Sequence, residues 1–236
     1  MQTVGKQINY IEGTFVQELK NRFLCEVLID GVPTVCYVPS SCHLSNFLAL
    51  KGKRVLLIPT RDPNARTKYA LFAVRYKRSH ILLNTSMANK AVENSIYGRR
   101  FSFLGKRSSV LTEHTVYDYK ADLYVQDTNS IVEVKSVIST DPVARFPTVF
   151  SERTQKQLRK LQQLLLQGKP VFFLIVSLCP YVQKIVLDEN TAFYDEFSEC
   201  IKLGMKTAAY TCRLIDSDIM IDKKIPVIFN SESLAQ

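Results

Sequence analysis

Glu133-Val134-Lys135 is the stretch of this chain whose residue types and spacing can do chemistry. It lies inside the apolar run Ile131 to Val137, which reads as a strand. On a strand, residues i and i+2 project from one face, so Glu133 and Lys135 point together while Val132 and Val134 turn to the core. A carboxylate and an ammonium side by side in such a strand cost desolvation unless they serve a polar site. Asp122 opens the preceding strand, across the turn Asp127-Thr128-Asn129-Ser130, and can approach Glu133 from there. Glu113, nine residues before Asp122, can contribute from the strand before that.

Three carboxylates that converge repel one another, and a hard divalent cation relieves the repulsion. Mg2+ (or Mn2+) takes oxygen ligands, commonly one or two carboxylates, with water and substrate phosphate oxygens completing the shell. The cation lowers the pKa of an attached water and neutralises a phosphoryl group. A neighbouring lysine orients that water or stabilises the developing charge. Such a set suits phosphodiester hydrolysis. The bare pattern of an acid, any residue and lysine is unspecific: it also occurs at Glu18-Leu19-Lys20, Asp118-Tyr119-Lys120 and Asp222-Lys223-Lys224. Only Glu133-Val134-Lys135 sits in an apolar strand preceded by a strand that an acid opens. The competing interpretation is an ordinary ion pair on an edge strand.

The charge distribution points to a polyanionic partner. Between Lys51 and Val110 there are 14 basic and two acidic residues, so this segment carries +12 of a net +9 and the remainder carries −3. The clusters are Lys51/Lys53/Arg54, Arg61/Arg66/Lys68, Arg75/Lys77/Arg78, Arg99/Arg100 and Lys106/Arg107, with Tyr69, Phe72, Tyr76, Tyr97, Phe101 and Phe103 among them. Lysine and arginine on phosphates release condensed counterions, and aromatic rings stack on unpaired bases. Taken singly, the aromatics read as core residues. An anionic membrane is the weaker partner, because no amphipathic helix accompanies the clusters.

The elements that position these residues follow from patterning. Phe23 to Ile29, Asp30-Gly31, Thr34 to Val38, Val55 to Ile58 and Tyr69 to Tyr76 read as short strands and a hairpin turn, with the turn signal Asp62-Pro63-Asn64 in the loop between the last two. Such strands suggest a small barrel of the OB type. Beyond residue 80, Ser86 to Tyr97 reads as a helix stopped by Gly98, followed by strands at Val110 to Tyr117, Ala121 to Val125 and Ile131 to Val137. Ser151 caps a helix carrying Leu158, Leu161 and Leu165 and closed by Gly168, and Val171 to Leu178 reads as a strand buried on both faces. A helix with Phe193, Phe197 and Ile201 ends at Gly204, before strands at Thr207 to Leu214, Ile219 to Ile221 and Ile225 to Phe229. The expected fold class is α/β with an N-terminal small β-barrel, divided into residues 1–80 and 81–236.

The six cysteines (Cys25, Cys36, Cys42, Cys179, Cys200, Cys212) form no C-x-x-C pair and read as reduced, mostly buried thiols. No apolar run approaches a membrane span, and MQTVGKQINY has no secretory character, so a cytoplasmic protein is expected.

The run Tyr119-Lys120-Ala121-Asp122-Leu123, Val132-Glu133-Val134-Lys135-Ser136-Val137, Arg145-Phe146-Pro147 and Ser151-Glu152-Arg153-Thr154-Gln155-Lys156 resembles the sugar fermentation stimulation protein A family. Arg22-Phe23-Leu24, Asn84-Thr85, Ala209-Tyr210-Thr211-Cys212-Arg213 and Ile225-Pro226-Val227 extend the resemblance over nearly the whole chain. It implies an OB-like domain followed by a PD-(D/E)xK restriction-endonuclease-like α/β domain, and a DNA-binding function. It further implies that Glu113, Asp122 and Glu133 are metal ligands, that Lys135 is the catalytic lysine, that the product carries a 5′-phosphate, and that Arg153 and Lys156 lie near the bound phosphate. The sequence departs from the family at Val38-Pro39-Ser40-Ser41-Cys42, where Cys-Pro-Asn-Thr-Gly is usual. It also departs at Thr148 (aspartate), Thr154 (glycine) and Gln157 (histidine).

Two functions follow. The first is Mg-dependent hydrolysis of DNA, with Arg66, Lys68, Arg75, Lys77, Arg78, Arg153 and Lys156 on the backbone. The second is a non-catalytic DNA-binding protein that regulates sugar metabolism genes. RNA is the alternative polyanion, because no base-reading element is recognisable, and a homodimer is the alternative to a monomer.

Overall fold

A computed structural model describes residues 10–40, 43–60, 62, 64–148 and 151–229. Ser41, Cys42, Arg61, Pro63 and the first nine residues, which enter the sequence analysis, lie outside the described residues.

Alternating apolar residues and tight turns build the first third into a closed barrel. Strands β1 (Ile11–Glu18), β2 (Leu24–Ile29), β3 (Val32–Tyr37), β4 (Arg54–Pro59) and β5 (Tyr69–Tyr76) follow the order β3-β2-β1-β4-β5, and β3 meets β5 at Tyr37 and Ala70 to close the circle. Asp30 and Gly31 both take positive φ, 49° and 80°, as the tight hairpin between β2 and β3 requires. In β1, a Cβ on Gly13 would stand 2.5 Å from the Val27 side chain and 2.9 Å from the Leu28 carbonyl, so β1 and β2 approach too closely there for any other residue. Strand β6 (Ser79–Leu82) continues the sheet beyond β5.

The remainder is an α/β unit, so the expected fold class is met. It comprises α1 (Met87–Ser95), β7 (Val110–Val116), β8 (Tyr119–Val125), β9 (Ser130–Val137), β10 (Val143–Phe146), α2 (Glu152–Leu166) and β11 (Val171–Ser177). Then come β12 (Lys184–Leu187), α3 (Ala192–Lys202), β13 (Lys206–Ile215), β14 (Asp218–Ile225) and β15 (Val227–Ile228). The main sheet has the order β14-β13-β11-β9-β8-β7, parallel through β9, β11 and β13. All seven residues of β11 are buried, as for a central strand covered on both faces. Ser151 Oγ accepts the Thr154 N–H at 3.2 Å to cap α2, whose Leu158, Leu161, Leu164 and Leu165 are buried.

Strands β1, β6, β10 and β12 are not anticipated by the patterning. Gly13 and Thr14 interrupt the alternation in β1, and β6, β10 and β12 have only four residues each. The small parallel sheet β10-β12-β15 rests on pairings distant in sequence, such as Ala144 with Ile185 and Ile185 with Val227. Strand β9 lies between β8 and β11, which removes the edge-strand interpretation of its ion pair.

One hydrophobic cluster runs from Phe15 in the barrel to Ile225 in β14. Across the junction the Leu82 N–H donates to the Leu178 carbonyl at 3.0 Å, and the Arg78 N–H donates to Tyr181 Oη at 3.1 Å. Cys25, Cys36, Cys179, Cys200 and Cys212 are free and buried. Among the described residues no helix is long and apolar enough to cross a membrane.

Candidate catalytic site

The pairing of β8 with β9 runs from Val125–Ser130 to Leu123–Val132 and stops there. One residue on, the Val134 N–H donates to Asp122 Oδ2 at 2.7 Å, so a side chain stands where a strand carbonyl would otherwise serve. The strands part and leave the Asp122 carboxylate between them. Its Oδ1 accepts from Asn89 Nδ2 of α1 at 2.9 Å.

Glu133 is 1% exposed. Its Oε2 accepts from Tyr119 Oη at 2.5 Å, and its Oε1 lies 2.5 Å from Lys135 Nζ. The same ammonium donates to Gln157 Oε1 of α2 at 2.7 Å. Two strands and two helices thus converge: β8 supplies Tyr119 and Asp122, β9 supplies Glu133 and Lys135, α1 holds one end and α2 the other.

Burial, and next the charge of Glu133, push the Asp122 carboxyl up to about 6, against the pull of the Val134 N–H, the Lys135 ammonium and the Asn89 amide. Burial and then Glu133 push the Tyr119 hydroxyl upward, with Arg153 opposing, so the phenol stays protonated and donates. The pair of hard oxygen ligands, one buried and one half-buried and repelling each other, fits a divalent cation in chemistry: neutralising that charge is what such an ion does best.

The three expected carboxylates do not converge. Glu113 takes φ 50° within β7; the pairs Thr112–Leu123 and His114–Ala121 form on either side of it. Its carboxylate is exposed and meets Lys120 Nζ at 2.5 Å. Among the described residues no group of three or more His, Cys, Asp and Glu side chains is placed to hold a metal. The positive φ and the pull of Lys120 account for the separation, and the structure offers a pair, Asp122 and Glu133, with Glu113 nearby.

Two openings flank the pair. Along α2 runs a groove of about 470 Å³ lined by Glu152, Arg153, Lys156, Gln157 and Lys160, which reaches the site through Gln157. Between barrel and sheet lies a cavity of about 940 Å³, lined by Asp122 and Glu113 on one side and by barrel residues on the other.

The remaining basic residues scatter. Arg66 lines the large cavity, and Lys68 is exposed just before β5. Arg75 stands opposite His80 in the β5–β6 hairpin. Lys77 Nζ lies 5.4 Å from the Tyr76 ring and 5.0 Å from the Tyr181 ring, at the junction of barrel and sheet, with the Arg78 backbone held beside it. Of the interleaved aromatics, Phe72 and Phe101 are fully buried, whereas Tyr97 is exposed.

Asn89, Tyr119 and Gln157 were not among the expected site residues. Tyr119 stands in the family-like run, and Gln157 where the family has histidine, so both had a signal; Asn89 had none.

Comparison with known proteins gives a consistent result. The "Sugar fermentation stimulation protein RE domain" matches residues 86–218, and the "SfsA N-terminal OB domain" matches residues 19–83. A sugar fermentation stimulation protein homolog of Caldanaerobacter subterraneus is 29% identical over 92% of this chain and 96% of its own length. One of Pelagibacter ubique is 26% identical over 92% and 96%. The solved structure of Pyrococcus furiosus SfsA in complex with Ca2+ superposes with a TM-score of 0.80 at 19% identity, covering 94% of this chain and 97% of that one.

Proposed function

The chain belongs to the sugar fermentation stimulation protein family, and from the site we propose that it is a DNA-binding phosphodiester hydrolase dependent on Mg2+ or Mn2+, acting in the cytoplasm. The observation that carries the proposal is geometric: half-buried Asp122 faces the buried Glu133 carboxylate beside Lys135, and burial and that neighbouring charge push the Asp122 carboxyl up. Such a concentration of negative charge beside one ammonium is costly in a structural role and expected of a catalytic one.

In this reading Asp122 and Glu133 would hold the cation, while Glu113 lines the same cavity and is held by Lys120. A cation held there would supply a water of lowered pKa and would neutralise phosphoryl charge. Lys135 donates to a water or to the developing oxyanion, Gln157 keeps its ammonium in place, and Tyr119 holds Glu133 by one oxygen. Arg153 and Lys156 bind the flanking phosphates. The solved structure of Pyrococcus furiosus SfsA is a complex with Ca2+, a hard cation of the kind this reading calls for.

A second reading, DNA binding without hydrolysis in the regulation of sugar metabolism genes, draws on the hydrogen bonds at the pair: all four carboxylate oxygens already meet donors of the protein. Labelled single- and double-stranded DNA incubated with Mg2+, Mn2+ or chelator decides between the two. The hydrolase releases product only with metal, and Asp122→Asn and Lys135→Ala abolish release while DNA binding persists. Binding without product under every condition leaves the regulatory reading.

A further inference from the structure

Building on the hydrolase reading, we propose that the cavity between barrel and sheet receives an unpaired nucleobase, so that the DNA substrate is single-stranded at the point of attack. The cavity, about 940 Å³, falls in the size range of small-ligand sites, and Asp122 forms part of its wall. Leu24, Val35, Ile58, Phe72, Leu123 and Ile219 make much of its lining apolar. Of its two aromatic lining residues Phe72 is fully buried, whereas Tyr37 is 39% exposed, at the barrel side.

The polar groups of the lining suit a base and not a phosphate. With Glu93 paired to Lys90 and Glu113 paired to Lys120, the lining keeps Asp62 and Asp122 against Arg66 alone, so it has no cluster of bases to hold a phosphate. Neutral amides are also present: Asn84 Nδ2 and Asn89 Oδ1 form no hydrogen bond among the described residues, and both residues line the cavity. An amide with an unused donor or acceptor can meet a base edge. The α2 groove has the opposite character, with Arg153, Lys156 and Lys160 against Glu152 alone. Charge therefore sorts a nucleotide across the site: backbone along α2, past Lys135 and Asp122, and base into the cavity. Inside a duplex the base is stacked and paired and cannot enter without extrusion, whereas a single strand presents it freely.

The test uses the full chain in chelator, where no cleavage competes with binding. Fluorescence anisotropy compares a single strand with a blunt duplex of the same sequence, and 2-aminopurine placed along the single strand reports unstacking. The single strand should bind about tenfold tighter or more, and one or two 2-aminopurine positions should change emission on binding, as stacking on one protein ring predicts. Ala65→Trp, which fills the cavity from an exposed loop position, and Tyr37→Ala should each erase that emission change and most of the preference, with thermal unfolding verifying the fold. Equal affinity for duplex and single strand, or an unaltered 2-aminopurine response in both folded variants, overturns the proposal. Absence of cleavage in Mg2+ would overturn the hydrolase reading alone, since the chelator experiments still decide what the cavity accepts.

Discussion

Lys135 Nζ lies 2.5 Å from Glu133 Oε1, and that carboxylate is 1% exposed. The ammonium is the counter-charge of a carboxylate held inside the sheet. Lys135→Met should destabilise the protein by about 3–5 kcal/mol, because it leaves a buried charge without its partner. Adding Glu133→Gln should recover much of that deficit. Urea unfolding of the two single variants and the double variant gives the coupling directly, and strict additivity would show that the two groups are not an energetic pair.

Tyr119 fixes the other oxygen of Glu133. Tyr119→Phe keeps the ring and removes only the hydroxyl, so it should cost about 1.5–3 kcal/mol, the range for a hydrogen bond to a charged group. Because Glu133 then keeps only one of two constraints, single-turnover cleavage should slow while DNA affinity in chelator stays the same. A variant as stable and as fast as the parent would remove Tyr119 from the site.

Asp122 makes stability depend on pH in a direction opposite to that of most surface carboxylates. Its carboxyl is raised from 3.8 in an unfolded chain to about 6 in the fold, so the folded protein binds the extra proton between those values. Stability from this group is fully present below pH 3.8, falls as pH rises through about 6, and is lost above it. The cost at neutral pH is about 2–3 kcal/mol. Asp122→Asn, measured in chelator, should therefore raise the thermal midpoint at pH 7.5 and have little effect at pH 4. A midpoint that drops at pH 7.5 would contradict the assignment.

The basic residues should divide into two groups. Arg153→Glu and Lys156→Glu should weaken single-strand binding and lower the slope of log affinity against log salt by about 0.7 for each phosphate that is no longer neutralised. Lys77→Ala should leave that slope unchanged and instead lower the thermal midpoint, because its ammonium rests on Tyr76 and Tyr181 where barrel meets sheet. Reversal of this pattern would move the backbone track from α2 to the β5–β6 hairpin.

Much of the architecture is legible in the sequence because it is written in local patterns. Ser151, the leucines of α2 and Gly168 mark a helix from cap to stop, and the unbroken apolar run of β11 announces a strand covered on both sides. Asp122, Glu133 and Lys135 are conspicuous because charged residues stand out in apolar strands. What stays hidden depends on partners far away in sequence. Asn89 on an amphipathic helix reads as solvent-facing until α1 is seen against β8. Tyr119 reads as ordinary core until the carboxylate beneath its hydroxyl is known. Glu113 reads as a third ligand because register alone cannot foresee a positive φ or the reach of Lys120. Counting charges likewise cannot tell that the Lys77 ammonium rests over the Tyr76 and Tyr181 rings.

Since a single apolar interior spans barrel and sheet, the two halves do not swing about a tether. Asp122 and Leu123 on one wall of the cavity and Tyr37 and Ile58 on the other are therefore carried by one packed body. Grafting the barrel onto another sheet would therefore cost the shared core and one wall of the cavity together.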